Sequence, residues 1–155
     1  MAFPVSFQIR DRGATPRGMA KRINAMKKSA WNAAGLLFHT DMRDQRFSQT
    51  HANQAGYTRR SPKYIKRKQK RMGHSNPLQF SGRTRRAVRA ARISATSNGA
   101  KVTYAGARVL NFRNPKSQVN AAVEFATITQ AEADKLAAKV DQVLDRQLSA
   151  DQQEN

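Results

Sequence analysis

Residues 57–92 constrain the fold of this chain more than any other segment. More than one residue in three here is Lys or Arg, and none is Asp or Glu. Such a segment can bury little apolar surface, and its charges repel one another unless an external anion or an acidic protein surface neutralises them. Nucleic-acid phosphate is the commonest anion of this kind. We therefore expect a polyanion or an acidic partner; the alternative is a basic face that serves only solvation.

Charge is unevenly distributed along the whole chain. The net charge is +19, but residues 1–120 hold 26 basic and 3 acidic side chains, whereas residues 121–155 hold 3 basic and 7 acidic ones. The two parts of the chain therefore face different surroundings.

The apolar composition predicts a small core. Leu, Ile, Val and Phe together make up 27 of 155 residues, a share at which highly charged chains tend towards disorder, although 24 Ala favour helix. We expect much of the chain to become ordered only against partner subunits. The absence of Cys excludes disulfides, thiolate catalysis and Cys-based metal sites. No apolar run suits a membrane span, and "MAFPVSFQIR" has no basic region followed by an apolar stretch, so we expect the protein not to be secreted and to stay soluble inside the cell.

Periodicity divides the first third of the chain into three segments. Alternating apolar residues predict a strand over 3–10. Thr15 and Pro16 then begin a predicted helix over 16–43, in which Met19, Ile23 and Met26 start a single apolar stripe. Residues 44–60 show no periodicity and are rich in Gln, Asn, Ser and Thr, which predicts an extended or mobile basic arm.

Two short basic helices are predicted next. Ser61 and Pro62 provide an N-cap and first-turn pair for a helix over 62–72. Ser81 is predicted to cap a second helix over about 82–91, with Val88 facing inward.

Strands and a final helix follow. Asn98 and Gly99 predict a tight turn with positive φ angles between the strands "RISAT" and "KVTYA". "ARVLNF" and "NAAVEFA" are predicted as further strands. Thr129 and Glu132 match a capping box before an amphipathic helix over 130–148, and residues 149–155 are predicted to fray. The sequence thus predicts a single α+β domain over 1–148, with a long N-terminal helix, a small antiparallel sheet of three to four strands and an amphipathic C-terminal helix.

The polar residues do not predict an enzyme or a cofactor site. His39 and Asp41 are two apart on a predicted helix and so point in different directions. His51 and His74 lie in polar loops without carboxylates at ligand spacing, and no nucleophile has a recognisable base partner. We expect no catalytic residue, no metal and no cofactor.

The basic segment could contact either nucleic acid or protein. Tyr57 and Tyr64 could stack on bases, while the cations could lie on phosphates or on an acidic protein. No groove-reading module is present, so contact with DNA should be insensitive to sequence. The predicted DNA- or partner-facing residues are Lys63, Lys66, Arg67, Lys70, Arg71, Arg85, Arg86 and Arg89.

From Tyr57 onward the chain resembles the tail-completion or neck proteins of long-tailed bacteriophages, also called virion morphogenesis proteins. The family motif is often Trp-x-x-Leu-Ser-x-x-(Thr/Tyr)-x-x-x-Lys. After a short gap it continues with Pro-Leu and then with a Gly at the start of the next element. The spacing agrees over about 57–145, although Arg60 stands where Leu is usual. The matching positions are Tyr57, Ser61, Tyr64, Lys68, Pro77, Leu78 and Gly82, with Tyr104 and Phe125 in the later strands.

The resemblance implies a structural role. Proteins of this family, which includes completion, connector and terminator proteins, form rings, here implied to be hexamers, between capsid and tail. The resemblance also implies contacts with further copies of the chain, with connector and tail-tube proteins and with packaged DNA. It places the protein in a virion that is assembled in the host bacterial cytoplasm. The alternative, based on charge alone, is a nucleic-acid-binding module of ribosome-associated or nucleoid type.

Overall fold

The computed structural model describes residues 15–111 and 116–153, and within them the fold is mixed helix and sheet. Its helices are α1 (Pro16–Leu37), α2 (Gln49–Gln54), α3 (Pro62–Met72), α4 (Arg83–Ala87), α5 (Ala121–Ala126) and α6 (Gln130–Gln153). Strands β1 (Ala91–Thr96) and β2 (Gly99–Tyr104) form one antiparallel hairpin. A π-helical turn (Phe38–Met42) and two 3-10 helices (Asp44–Phe47 and Ala105–Asn111) are the remaining helical segments of these ranges.

Helix α1 is the frame on which the hairpin and α6 pack. Gly35 lies against β1 and β2, where an added Cβ would be 2.8 Å from Ile93 Cγ2 and 3.3 Å from Ala100 Cβ. On the other side, α6 runs antiparallel to α1, since Gln147 Nε2 donates to Ser29 Oγ at 3.0 Å and Arg22 pairs with Asp151 at 2.9 Å. A small residue thus brings helix and hairpin into close contact.

The core is small, as its composition predicts. One cluster joins five buried side chains from five different segments: Phe47, Val88, Tyr104, Leu110 and Phe125. The Tyr104 ring meets that of Phe125 edge-on at 5.5 Å between centroids, and Phe47 lies 5.9 Å from Phe125. Nine hydrophobic residues of the described chain are buried, three of them Ala, while eight large hydrophobic residues are exposed.

Several predicted elements are confirmed. Thr15 Oγ1 accepts from Gly18 N at 3.1 Å at the start of α1, and α3 spans the predicted residues. The capping box is present, because Thr129 N donates to Glu132 Oε2 at 2.9 Å and Glu132 N to Thr129 Oγ1 at 3.4 Å. The hairpin pairs Ala91 with Tyr104 through Thr96 with Gly99.

The arm predicted over 44–60 is wrong for most of its length. Residues 44–47 form a 3-10 helix and 49–54 form α2, which Ser48 caps by accepting from His51 N at 3.1 Å. Arg46, Phe47 and His51 are buried. Apolar periodicity does not reveal these turns, because two of their four buried residues, Arg46 and His51, are charged or polar.

Two predicted strands are helical. "NAAVEFA" contains α5, whose Asn120 side chain caps the helix by accepting from Val123 N at 3.3 Å. "ARVLNF" lies largely within the 3-10 helix Ala105–Asn111. The described residues therefore contain two strands rather than three or four, and the predicted strand over 3–10 lies outside them.

Other boundaries and turns differ from the predictions. Helix α1 ends at Leu37 and continues as the π-helical turn instead of reaching 43 as a regular helix. Gly82 with φ 76°, not Ser81, precedes α4, which ends at Ala87. The hairpin turn holds no residue with positive φ; instead, Thr96 Oγ1 accepts from Asn98 N at 3.2 Å. Helix α6 continues to Gln153, past the predicted frayed end.

Candidate partner-binding surface

The eight cations predicted to face DNA or a partner are all exposed. Helix α3 carries five, and α4 with the residues just after it carries three. Arg85 Nη2 lies 3.2 Å from Asp44 Oδ2. No ion pair involves the other seven anywhere in residues 15–111 and 116–153. The folded chain therefore leaves most of this positive charge for solvent or a partner.

Local signals mark both ends of α3. Ser61 Oγ accepts from Tyr64 N at 3.3 Å, and Pro62 occupies the first turn, where its missing N–H costs nothing. Gly73 ends the helix in the left-handed conformation at φ 71°, which glycine adopts without strain. Between them lie mostly Lys, Arg and Gln, which are good helix formers.

Tyr64 and Lys68 attach α3 to the rest of the molecule. The Tyr64 ring lies 6.3 Å from that of Phe80, and the Lys68 ammonium lies 5.7 Å from the Tyr64 ring. Lys68 is the one buried residue of α3, and its ammonium donates to the Asn76 carbonyl. Burial first, and the charge of Arg60 second, lower the pKa of Lys68 to about 8. Lys68 is thus a structural cation, unlike its exposed neighbours on the same helix.

The remaining motif positions shape the loop after α3 and the core. Pro77 is buried, Leu78 has the unusual φ of 56°, and Gly82 precedes α4. Tyr57 Oη donates to the Arg46 carbonyl at 3.3 Å. Tyr104 and Phe125 meet in the core cluster. The positions chosen by resemblance therefore fix the backbone around the basic surface rather than forming the surface itself.

A wide cleft separates α3 from residues 116–121. It encloses about 750 Å³, and Arg59, Tyr64, Arg67 and Phe80 are among its lining residues. Its open shape and mixed lining resemble the gap under a protruding helix more than a pocket for a small molecule.

Arg60, where the resembling family usually has Leu, has an internal partner. Its guanidinium donates to both carboxylate oxygens of Glu124 in α5, and Thr58 N donates to Glu124 Oε1 at 2.9 Å. This bidentate pair connects residue 60 with residue 124 and holds the start of the basic segment against α5. Arg60 is therefore not available to a partner in the way that the α3 cations are.

A buried ionic cluster around Arg46 has almost no signature in the sequence. Arg46 is 0% exposed, and its Nη1 donates to Glu132 of α6 and lies 2.9 Å from His51 Nε2. Its guanidinium carbon lies 4.8 Å from the centre of the Phe38 ring, a cation–π geometry. The only sequence signal was Glu132 of the capping box, and nothing in the sequence shows that Arg46 reaches it from 86 positions away.

The pKa values in this cluster respond to burial and to Arg46. Burial alone would raise the pKa of Glu132, but hydrogen bonds from Arg46 and the Thr129 backbone, together with the Arg46 charge, lower it below its ordinary value. Burial, and then the Arg46 charge, lower the pKa of His51. A charged Arg46, a charged Glu132 and a neutral His51 therefore suit this site.

Within the described ranges, no three His, Asp or Glu residues lie close enough together to hold a metal ion. No helix of the described chain is long and apolar enough to span a membrane. In comparisons with known proteins, no family model matches the chain, and no curated protein or solved structure is significantly similar to it.

Proposed function

We propose that this chain is a non-enzymatic structural protein of the bacteriophage head–tail junction. It forms a homo-oligomeric ring that joins the capsid connector to the tail and surrounds the DNA path. The observation that carries the proposal is the exposed positive surface of α3 and α4, seven of whose eight cations have no ion pair among the described residues. Such a surface suits a polyanion or an acidic neighbour.

The small core also supports an assembled state. The large hydrophobic residues that are between 45% and 58% exposed include Met19 and Ile23 on α1, Val123 on α5, Ile128 between α5 and α6, and Leu148 on α6. The described residues include eight exposed large hydrophobic side chains and only six buried ones, so the protein gains stability when neighbours cover the exposed ones. Further copies of the chain, connector proteins and tail-tube proteins are the proposed neighbours.

The family motif supports the same proposal through its structural role. Ser61 caps α3, Tyr64 and Lys68 attach it, and Gly82 precedes α4 at φ 76°. Residues that cap a helix, attach it to the body or allow a turn before it are the ones that members of a family with this segment would share. A small antiparallel sheet of three to four strands stays part of the proposed fold, and the described residues contain the hairpin of β1 and β2.

Microscopy of the purified protein tests the ring. We expect negative-stain images to show rings, with six subunits as the resemblance implies, and sedimentation to show concentration-dependent assembly. In a virion, the protein should be found at the neck. A protein that stays monomeric at all concentrations and binds no virion component would contradict the proposal.

The same basic surface favours one alternative, a nucleic-acid-binding module of ribosome-associated or nucleoid type. Such a module should bind duplex DNA or RNA as a monomer, with log affinity falling steeply against log salt. Rings that form without nucleic acid would argue against it.

A further inference from the structure

The strongest unassigned feature is an acidic stripe on α6. Asp134, Asp141 and Asp145 are spaced seven and four residues apart, which places them within about 40° of one another around a helix. All three are exposed, whereas Glu132 is buried and Leu136, Val143 and Leu144 are partly buried on the other side of the helix. The stripe therefore points away from the body of the molecule.

These carboxylates have no cationic partner among the described residues. Asp134 accepts a hydrogen bond from Gln130 Nε2 at 2.8 Å, and no ion pair involves Asp134, Asp141 or Asp145 in residues 15–111 and 116–153. The basic residues of α6, which are Lys135, Lys139 and Arg146, lie about 100° to 140° around the helix from Asp134. The stripe is thus a line of negative charge on an otherwise strongly basic molecule.

Helix α3 carries a matching basic stripe. Lys63, Arg67 and Lys70 are spaced four and three residues apart, again within about 60° of one another. Lys63 and Lys70 lie about 140° and 160° around α3 from Lys68, which holds the helix to the body. Arg67 lies about 100° from Lys68, with its guanidinium carbon 5.7 Å from the centre of the Tyr64 ring. The spacings match, because Lys63 and Lys70 are seven residues apart, like Asp134 and Asp141, and Lys63 and Arg67 are four apart, like Asp141 and Asp145.

We propose that the acidic stripe of α6 (Asp134, Asp141, Asp145) binds the basic stripe of α3 (Lys63, Arg67, Lys70) on a second copy of this chain. This inference rests on the proposed ring and names the surfaces that join its subunits. The two stripes are different surfaces and make no ion pair with each other within the subunit, so each is available to its opposite on another copy. In the proposed ring this contact is head-to-tail and is repeated by rotation until the ring closes. Arg86 on α4 and Arg89 just after it then remain free to face the DNA path.

Charge complementarity at this contact would determine which surfaces pair, and in which register, more than it would determine how tightly they bind. Exposed ion pairs each contribute little, whereas opposing like charges are clearly unfavourable. Leu148, which is 50% exposed and about 40° around α6 from Asp134, adds apolar area to the contact. Assembly should therefore weaken as salt screens the stripes, over the range in which the screening length shrinks from about 30 Å to about 8 Å.

Charge reversal tests the contact directly. Variant one carries Lys63→Glu and Lys70→Glu, and variant two carries Asp134→Lys and Asp141→Lys. We expect each to assemble at least about tenfold more weakly than wild type by sedimentation and native mass spectrometry, because like charges then face each other. A matched control, Lys21→Glu with Lys28→Glu, reverses two exposed lysines seven residues apart on α1 and should assemble as wild type does.

Two rescue experiments make the test specific to this pairing. The chain with all four reversals exchanges the signs of the stripes and should regain wild-type assembly. An equimolar mixture of variants one and two should also assemble, because each stripe of one finds its opposite on the other. Circular dichroism of all variants should match wild type, since the changed residues are exposed.

The outcomes separate this inference from the proposed function. Rings that persist in both single-stripe variants would overturn the stripe contact and leave the ring proposal in place. If both rescue experiments restore assembly but the assembled species is a dimer, the result would support the contact and contradict the ring. Loss of assembly in both variants without rescue would overturn the pairing, because it would show that each stripe acts on something else.

Discussion

At the scale of single residues, the buried Arg46 cluster is the most consequential feature of the molecule. It places a fully buried guanidinium between Glu132 on α6 and His51 on α2, beside the Phe38 ring. Burial of a charge is costly unless the charge is paired, so each member depends on the others. The cluster connects two segments that apolar packing alone joins weakly.

Replacing Glu132 by Gln should therefore destabilise the protein strongly. The change leaves Arg46 buried without its counter-ion, which typically costs about 3–5 kcal/mol. Urea unfolding at pH 7 measures the difference, and Asp134→Asn, two residues away and exposed, should stay within about 0.5 kcal/mol of wild type. Because the folded pKa of Glu132 is lowered from 4.5, wild type should also lose this contribution as the pH falls below about 4.5. Equal stability of the two variants would show that Arg46 does not depend on Glu132.

His51 should make stability depend on pH in a higher range. The pKa of His51 in the folded state lies below 6.5. As the pH falls from 6.5, the His51 side chain is therefore protonated in the unfolded chain before it is protonated in the folded one. The unfolded state then binds more protons than the folded state, and wild-type stability decreases. We expect His51→Gln, which retains an acceptor for Arg46, to show a shallower decrease in the free energy of unfolding between about pH 6.5 and 5. Parallel curves for both proteins would contradict a buried neutral His51.

At the scale of elements, close approach at small residues determines how the short helices pack. The 3-10 helix Ala105–Asn111 passes α4 so closely that a Cβ at Gly106 would lie 2.2 Å from the Ala87 carbonyl oxygen. That oxygen belongs to the backbone and cannot move away without shifting α4. The position of the α4 arginines on the surface thus depends on a glycine about 20 residues later in the chain.

Gly106→Ala should consequently displace α4 and lower stability by about 1–3 kcal/mol, as overpacking usually does. Gly99→Ala is the matched control, because nothing lies within 4 Å of a Cβ at Gly99 and its φ is not positive. Thermal unfolding followed by circular dichroism compares the two variants. A Gly106→Ala protein that melts with the control would contradict the close packing of α4 on the 3-10 helix.

At the scale of the whole molecule, the charges are divided into surfaces with different proposed roles. The stripes of α3 and α6 are assigned to neighbouring copies, and the arginines at α4 to DNA. This division explains how one basic chain could both assemble with itself and surround a polyanion without the first contact using up the charge needed for the second.

Arg86→Gln combined with Arg89→Gln should weaken DNA binding without weakening assembly. Removing one phosphate contact should reduce the slope of log affinity against log salt by about 0.9, and removing two should reduce it by about 1.8. Fluorescence anisotropy of a labelled duplex at several salt concentrations measures the slope. Lys21→Gln with Lys28→Gln on α1 removes the same charge elsewhere and should change the slope less. An unchanged slope in the α4 variant would place DNA elsewhere on the molecule.

Elements with local signals could be predicted from the sequence. Ser61 with Pro62, Thr129 with Glu132 and the hairpin strands each depend on contacts between residues a few positions apart, so their existence follows from the residues themselves. The exposure of the basic surface follows in the same way, because so many cations cannot be buried. For the same reason, the small core could be predicted from composition.

Tertiary contacts determined the structure of the segments that local signals did not predict. "AAVEFA" alternates as a strand would, yet it is a helix whose Glu124 pairs with Arg60 and whose Phe125 meets Tyr104. Residues 44–54 read as a polar arm, but Arg46 is buried because Glu132, distant in sequence, neutralises it. A buried polar side chain has no signature in apolar periodicity, since its burial depends on a partner that only the folded chain brings near.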